Sequence, residues 1–266
     1  MQEPSRSKIK YVIASNKQAI KSSKPKAALL HNPDILRSIQ ERDKLKIDRL
    51  LSRLREQYSE LLPFVKKVKL HINDIIEETY VCAIYLLLCH VFDSWNSCFI
   101  LAENGRSSAV GNVIRTIKEG IMQIELFSID SLSEERTNLD KWFSGDIIRH
   151  VTGRKKVGEY FDKFLPFSEV NVKELSSQVY QIESQVSHNA YASILELVSP
   201  FTEDYDFDGY SGYYRTLAWL RYASGSLEAT NIAMKMVYST VIKDAESLKK
   251  INEILVRYSP ETGRTI

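Results

Sequence analysis

Ser107–Ile129 reads SSAVGNVIRTIKEGIMQIELFSI. Val110, Val113, Ile114, Ile117, Ile121 and Ile124 recur at three- and four-residue spacings, which lines them along one side of an α-helix. Strand alternation is absent, and the stretch holds no proline. Arg115 and Glu119 stand one turn apart on the opposite side, which they share with Met122 and Leu126. A helix with apolar residues on both sides belongs inside a bundle.

Working outward, the stretch from Val68 to Ala102 is apolar around most of its circumference and predicts a second interior helix ending at Asn104-Gly105. Its three cysteines, Cys82, Cys89 and Cys98, read as core packing. Upstream, Asn32-Pro33-Asp34 is a helix start, and the helix is expected to run from Asp34 to Leu62 and stop at Pro63. Ile47, Leu51, Leu54, Tyr58 and Leu61 form a seam that could pack on the chain's own body or on a second copy. Downstream, Ser131-Leu132-Ser133-Glu134 reads as a capping box for a short helix through Trp142. Gly145–Leu165 is basic and less regular, and a helix is expected over Val172–Leu197. An acidic, aromatic loop should cover Thr202–Gly212, with helices over Tyr213–Lys243 and Ala245–Arg257. Prolines are absent from Phe64 to Leu165 and from Phe201 to Ser259, so both regions are free to be helical.

The expectation is an all-α helical bundle with a basic N-terminal arm and a long N-terminal helix. Its parts are a basic flexible arm (1–31), an amphipathic helix (32–63), a helical bundle domain (64–258) and a C-terminal tail (259–266). Gly and Pro, at 10 and 7 of 266 residues, are too few for a turn-dense β fold or a low-complexity chain. The N-terminus lacks an apolar signal region, no run of about 20 purely apolar residues occurs, and the cysteine count is odd. These features point to a cytoplasmic protein with no membrane partner. A net charge of +2 conceals an asymmetry: residues 1–50 hold 12 Lys and Arg against 5 Asp and Glu, so the rest of the chain is acidic. A basic arm can meet RNA phosphates or an acidic protein face.

Tyr180, Ser184 and His188 fall at i, i+4 and i+8, which sets phenol, hydroxyl and imidazole along one helical ridge. Such a ridge can bind or cut a phosphodiester, or it can be a polar seam bonded to a neighbouring helix. The motif Glu-x-x-His of di-iron bundles, the zinc motif His-Glu-x-x-His and paired Cys-x-x-Cys are all absent, so neither metal nor cofactor is expected. Asp204-Tyr205-Asp206-Phe207-Asp208-Gly209 opens like a calcium loop, but its twelfth position is Arg215 where the ion needs a bidentate Glu. Thr152–Gly158 contains Gly and Lys without Walker spacing. As a basic cluster, Arg149, Arg154, Lys155 and Lys156 could meet phosphates.

In chain order come Arg115-x-x-x-Glu119 on an apolar helix, Trp142-Phe143-x-Gly145-Asp146-Ile147, the basic segment, and Tyr180-x-x-x-Ser184-x-x-x-His188. Over about residues 75–200 this order resembles a group of bacterial helical proteins of unknown function related to HEPN domains. The resemblance implies a helical bundle, often dimeric, and an RNA-directed role, in line with HEPN ribonucleases of toxin–antitoxin and phage-defence systems. It implies His188 as acid/base group, Arg115 as the residue that steadies phosphate charge, Glu119 as its orienter, and Tyr180 and Ser184 as substrate contacts. The HEPN motif of Arg followed four to six residues later by His is absent, so Arg115 must reach His188 from another helix. The other functional class is a non-enzymatic module that forms a homodimer or recruits a partner protein through the N-terminal helix.

Overall fold

The computed structural model describes residues 33–164 and 210–258. They form a helical bundle, with seven α-helices and no strand among the described residues. The helices are α1 (Pro33–Val68), α2 (Tyr80–Glu103), α3 (Ser107–Ser133), α4 (Thr137–Phe143), α5 (His150–Phe164), α6 (Tyr210–Met236) and α7 (Ala245–Tyr258). The basic arm, the helix expected over 172–197, the acidic residues 204–208 and the C-terminal tail lie outside the described residues. The chain packs as two compact units: residues 33–51, 98–112 and 210–221 belong to one, and 52–97, 113–164 and 222–258 to the other.

α1 does not stop at Pro63 as the sequence predicted; it continues to Val68. Proline takes the helical partner from the Ser59 carbonyl, but Ser59 and Pro63 are both exposed and water can replace that bond. Burial of Leu61, Val65 and Val68 holds the last turn in place. The Tyr238 hydroxyl also donates to the Phe64 carbonyl at 2.7 Å. Ile47, Leu51, Leu54 and Leu61 are all buried within the chain, so the seam packs on its own body. Tyr58 lies against Phe92 with ring centroids 5.0 Å apart.

α2 begins at Tyr80 and not near Val68 as the sequence predicted. A 3-10 turn (Lys69–His71) and an irregular stretch intervene. Thr79 begins the helix, its hydroxyl accepting from the Cys82 amide at 3.2 Å, as an N-cap does. Ile75 and Ile76, which belonged to the apolar pattern in the sequence, are exposed, as is Leu70. The helix ends as predicted. Gly105 takes a left-handed φ of 65°, its amide bonds the Ala102 carbonyl, and the Arg106 amide bonds that of Leu101, a Schellman closure. Cys82 and Cys98 are buried, but Cys89 is exposed, because a helix apolar on every side has more apolar surface than the core can cover. By length and composition α2 would span a bilayer, yet half of its most apolar stretch is buried inside the protein.

α3 runs four residues past Ile129, through the expected capping box. Ser131 and Ser133 bond back to the carbonyls of Ser128 and Asp130 within the helix, and Glu134 turns the chain with a φ of 54°. α5 occupies the segment expected to be irregular; Val157 and Gly153 are buried in its packed face. α6 gives way to a π-turn over Val237–Val241, and α7 starts at Ala245 as expected. Asp244 caps α7 and pairs with Lys67 at 2.5 Å. Bonds from Lys67 and Ser247 hold its carboxyl well below the usual carboxylate range.

α2 and α3 approach closely at Gly120, where an added Cβ would stand 2.6 Å from Val91 Cγ2. Val91 is fully buried and cannot swing into water. Gly120→Ala is therefore expected to destabilise by about 1–3 kcal/mol despite alanine's better helix propensity. Adding Val91→Ala should return part of the loss, and urea melts of the three variants check it.

Candidate nucleic-acid interface on α3

The apolar stripe of α3 fixes where its polar side chains go. Ile114, Ile117, Ile121 and Ile124 are buried, which leaves Arg115, Lys118, Glu119 and Glu125 half-buried at the edges of the packed face. Arg115 Nε donates to Glu119 Oε1 at 2.7 Å, and the two side chains keep only 14% and 30% of their surface in water. A pair this sheltered is held more firmly than an exposed i,i+4 pair, because water and salt screen it less. The Nε bond also fixes the plane of the guanidinium, whose fork matches phosphate oxygens.

Lys118 stands one turn from Arg115. Its ammonium donates to the Tyr222 hydroxyl and lies 3.8 Å from the centre of the Tyr222 ring. No local pattern announces this contact, since Tyr222 is 104 residues away on α6. Burial raises the Glu125 carboxyl to about 8, so near neutral pH it is largely protonated and able to give or take a proton.

Of the basic segment, Arg149 and Lys155 are exposed and Arg154 is half-buried. Lys156 is not part of an exposed basic cluster. Its ammonium lies 2.6 Å from Oδ1 of the fully buried Asp130 and 2.5 Å from Glu135 Oε2. Asn138 donates to the other Asp130 oxygen at 2.8 Å, and the Tyr80 hydroxyl donates to the Glu135 carbonyl. Burial alone would lower the Lys156 ammonium, but its bonds to Asp130 and Glu135 outweigh that and raise it.

Arg115 and Glu119 are thus brought together. Tyr180, Ser184 and His188 lie outside the described residues. No group of three His, Cys, Asp or Glu side chains gathers at metal-binding distance among the described residues. Comparison with known proteins finds no family model, no curated protein and no solved structure that matches the chain.

Proposed function

We propose that this protein binds RNA and cleaves it by metal-independent acid/base chemistry, in a toxin–antitoxin or phage-defence setting. The observation that carries the reading is the half-buried Arg115–Glu119 pair on an otherwise apolar helix, with Lys118 one turn along. A guanidinium fixed by a carboxylate is preorganised to meet phosphate charge as it develops. Lys118 adds a second positive charge, held in place by the Tyr222 ring and hydroxyl. His188 supplies the proton transfers, Tyr180 and Ser184 hold the substrate, and Arg149, Arg154 and Lys155 add non-specific attraction. Lys156, which the sequence groups with them, is paired with Asp130 and Glu135 and adds no free charge. The order of motifs resembling HEPN relatives supports the same assignment.

The test is cleavage of end-labelled total RNA by purified wild type and His188→Ala without added metal. Wild type is expected to cut and the variant to lose at least about 100-fold, the usual share of a positioned acid/base group. Equal activity of the two would remove His188 from the reaction. If neither cuts across several salts and pH values, the second reading takes over: a module for homodimerisation or partner-protein binding. That reading is favoured by the large apolar side chains exposed on Leu70, Ile76, Ile147 and Val151. The α1 seam is buried within the chain, so such an interface would use these side chains instead.

A further inference from the structure

α7 carries two mainly apolar stripes side by side, each with one polar residue. Ser247, Ile251 and Ile254 face the core and are buried. Leu248, Asn252 and Leu255, each one position further along, repeat the same i, i+4, i+7 spacing and instead line an open groove of about 820 Å³. Phe161 from the end of α5, with Ile232 and Met236 from the end of α6, completes its apolar wall. The π-turn that follows α6 contributes Ser239. All the residues that line it belong to one compact unit, so the groove is built within that unit.

Its charge is one-sided. Lys235 and Lys249 line the groove, and no Asp or Glu among the described residues does. Lys235 Nζ donates to Asn252 Oδ1 at 2.7 Å, a neutral partner that leaves its charge unbalanced and uses one of three ammonium protons. Neither lysine is ion-paired among the described residues, although Lys250 next door is paired with Glu246 at 2.7 Å. An apolar trough with lysines and no acid selects a ligand that is apolar along its length and anionic at one end. The volume falls in the range of small-molecule sites, about 300–1,000 Å³.

From this combination we infer that the groove between α5, α6 and α7 binds an aliphatic carboxylate, the chain lying along Phe161, Ile232 and Leu248 and the carboxylate meeting Lys235 and Lys249. The inference is independent of the RNA reading. It is tested by calorimetric titration of the full chain with sodium dodecanoate below its micelle concentration, and with dodecyl maltoside as the same chain on a neutral head. Saturable one-to-one binding of dodecanoate is expected, at least about 10-fold tighter than the maltoside, the worth of one charge-assisted bond. Lys235→Gln with Lys249→Gln should erase that preference, and Leu248→Trp should block both ligands while the helical signal is kept. Should Leu248→Trp unfold, the lysine variant decides alone, since it alters only groove-rim side chains. Non-saturable uptake, equal affinity for both head groups, or a preference that survives loss of both lysines would overturn the inference.

Discussion

Lys156→Ala is expected to lower the free energy of unfolding by about 3 kcal/mol, the lower end of the cost of breaking a buried ion pair. The reason lies in what remains rather than in what is removed. Asp130 is fully buried, and without the ammonium 2.6 Å away it keeps, among the described residues, only the amide of Asn138 as a side-chain partner. Lys156 retains about a third of its side chain in water, and this places the cost at the lower end. Asp130→Asn with Lys156→Met removes both charges and should recover much of the loss, because no charge is then left buried. Denaturant melts of the single and double variants at pH 7 measure both effects. A loss under about 0.5 kcal/mol for Lys156→Ala, the level of an exposed pair, would contradict the arrangement. Because the pair raises the lysine, its contribution is full below the lysine's ordinary value near 10.5 and is lost as pH rises through the higher folded value.

Glu125→Gln should produce the largest pH-dependent change. With the carboxyl raised from 4.5 to about 8 by burial, the folded chain binds more protons than the unfolded chain between those values. Stability contributed by the protonated carboxyl is full below pH 4.5 and falls as pH rises through about 8. The whole fall is on the order of 5 kcal/mol by the free energy of a pKa unit. Glutamine keeps the shape and cannot ionise, so the variant should be the more stable form at pH 8 and near wild type at pH 5. Melts at pH 5, 6.5 and 8 read the difference directly. A gap between the two proteins that does not change with pH would mean that the carboxyl is not sheltered.

The helical class was legible because apolar spacing is a local property, and so was the end of α2, where only a left-handed residue closes the Schellman turn at Gly105. The structure departs from the local pattern where tertiary burial, or a cap elsewhere in the segment, overrides it. Pro63 reads as a stop, but buried Leu61 and Val65 carry the helix through it. Ile75 and Ile76 read as helix and core, but the cap at Thr79 starts α2 beyond them and leaves them in water. The same division holds for the site. Arg115 and Glu119 lie four residues apart on one helix, so their pairing could be anticipated. Asp130 and Lys156 meet across α3 and α5, and Lys118 meets Tyr222 across α3 and α6, with no spacing rule to announce either. No spacing marks Glu125 either, because neighbours in space rather than in sequence determine its burial.

If the Arg115–Glu119 pair on α3 is a phosphate contact, RNA binding should depend on it and on salt together. Wild type and Arg115→Gln, both checked for helical signal, would be titrated with end-labelled RNA between about 50 and 200 mM salt. Wild-type affinity is expected to fall steeply with salt, and the variant to bind about 10-fold more weakly with a salt slope shallower by about one. A variant with wild-type affinity and slope, or a wild type whose binding ignores salt, would contradict it.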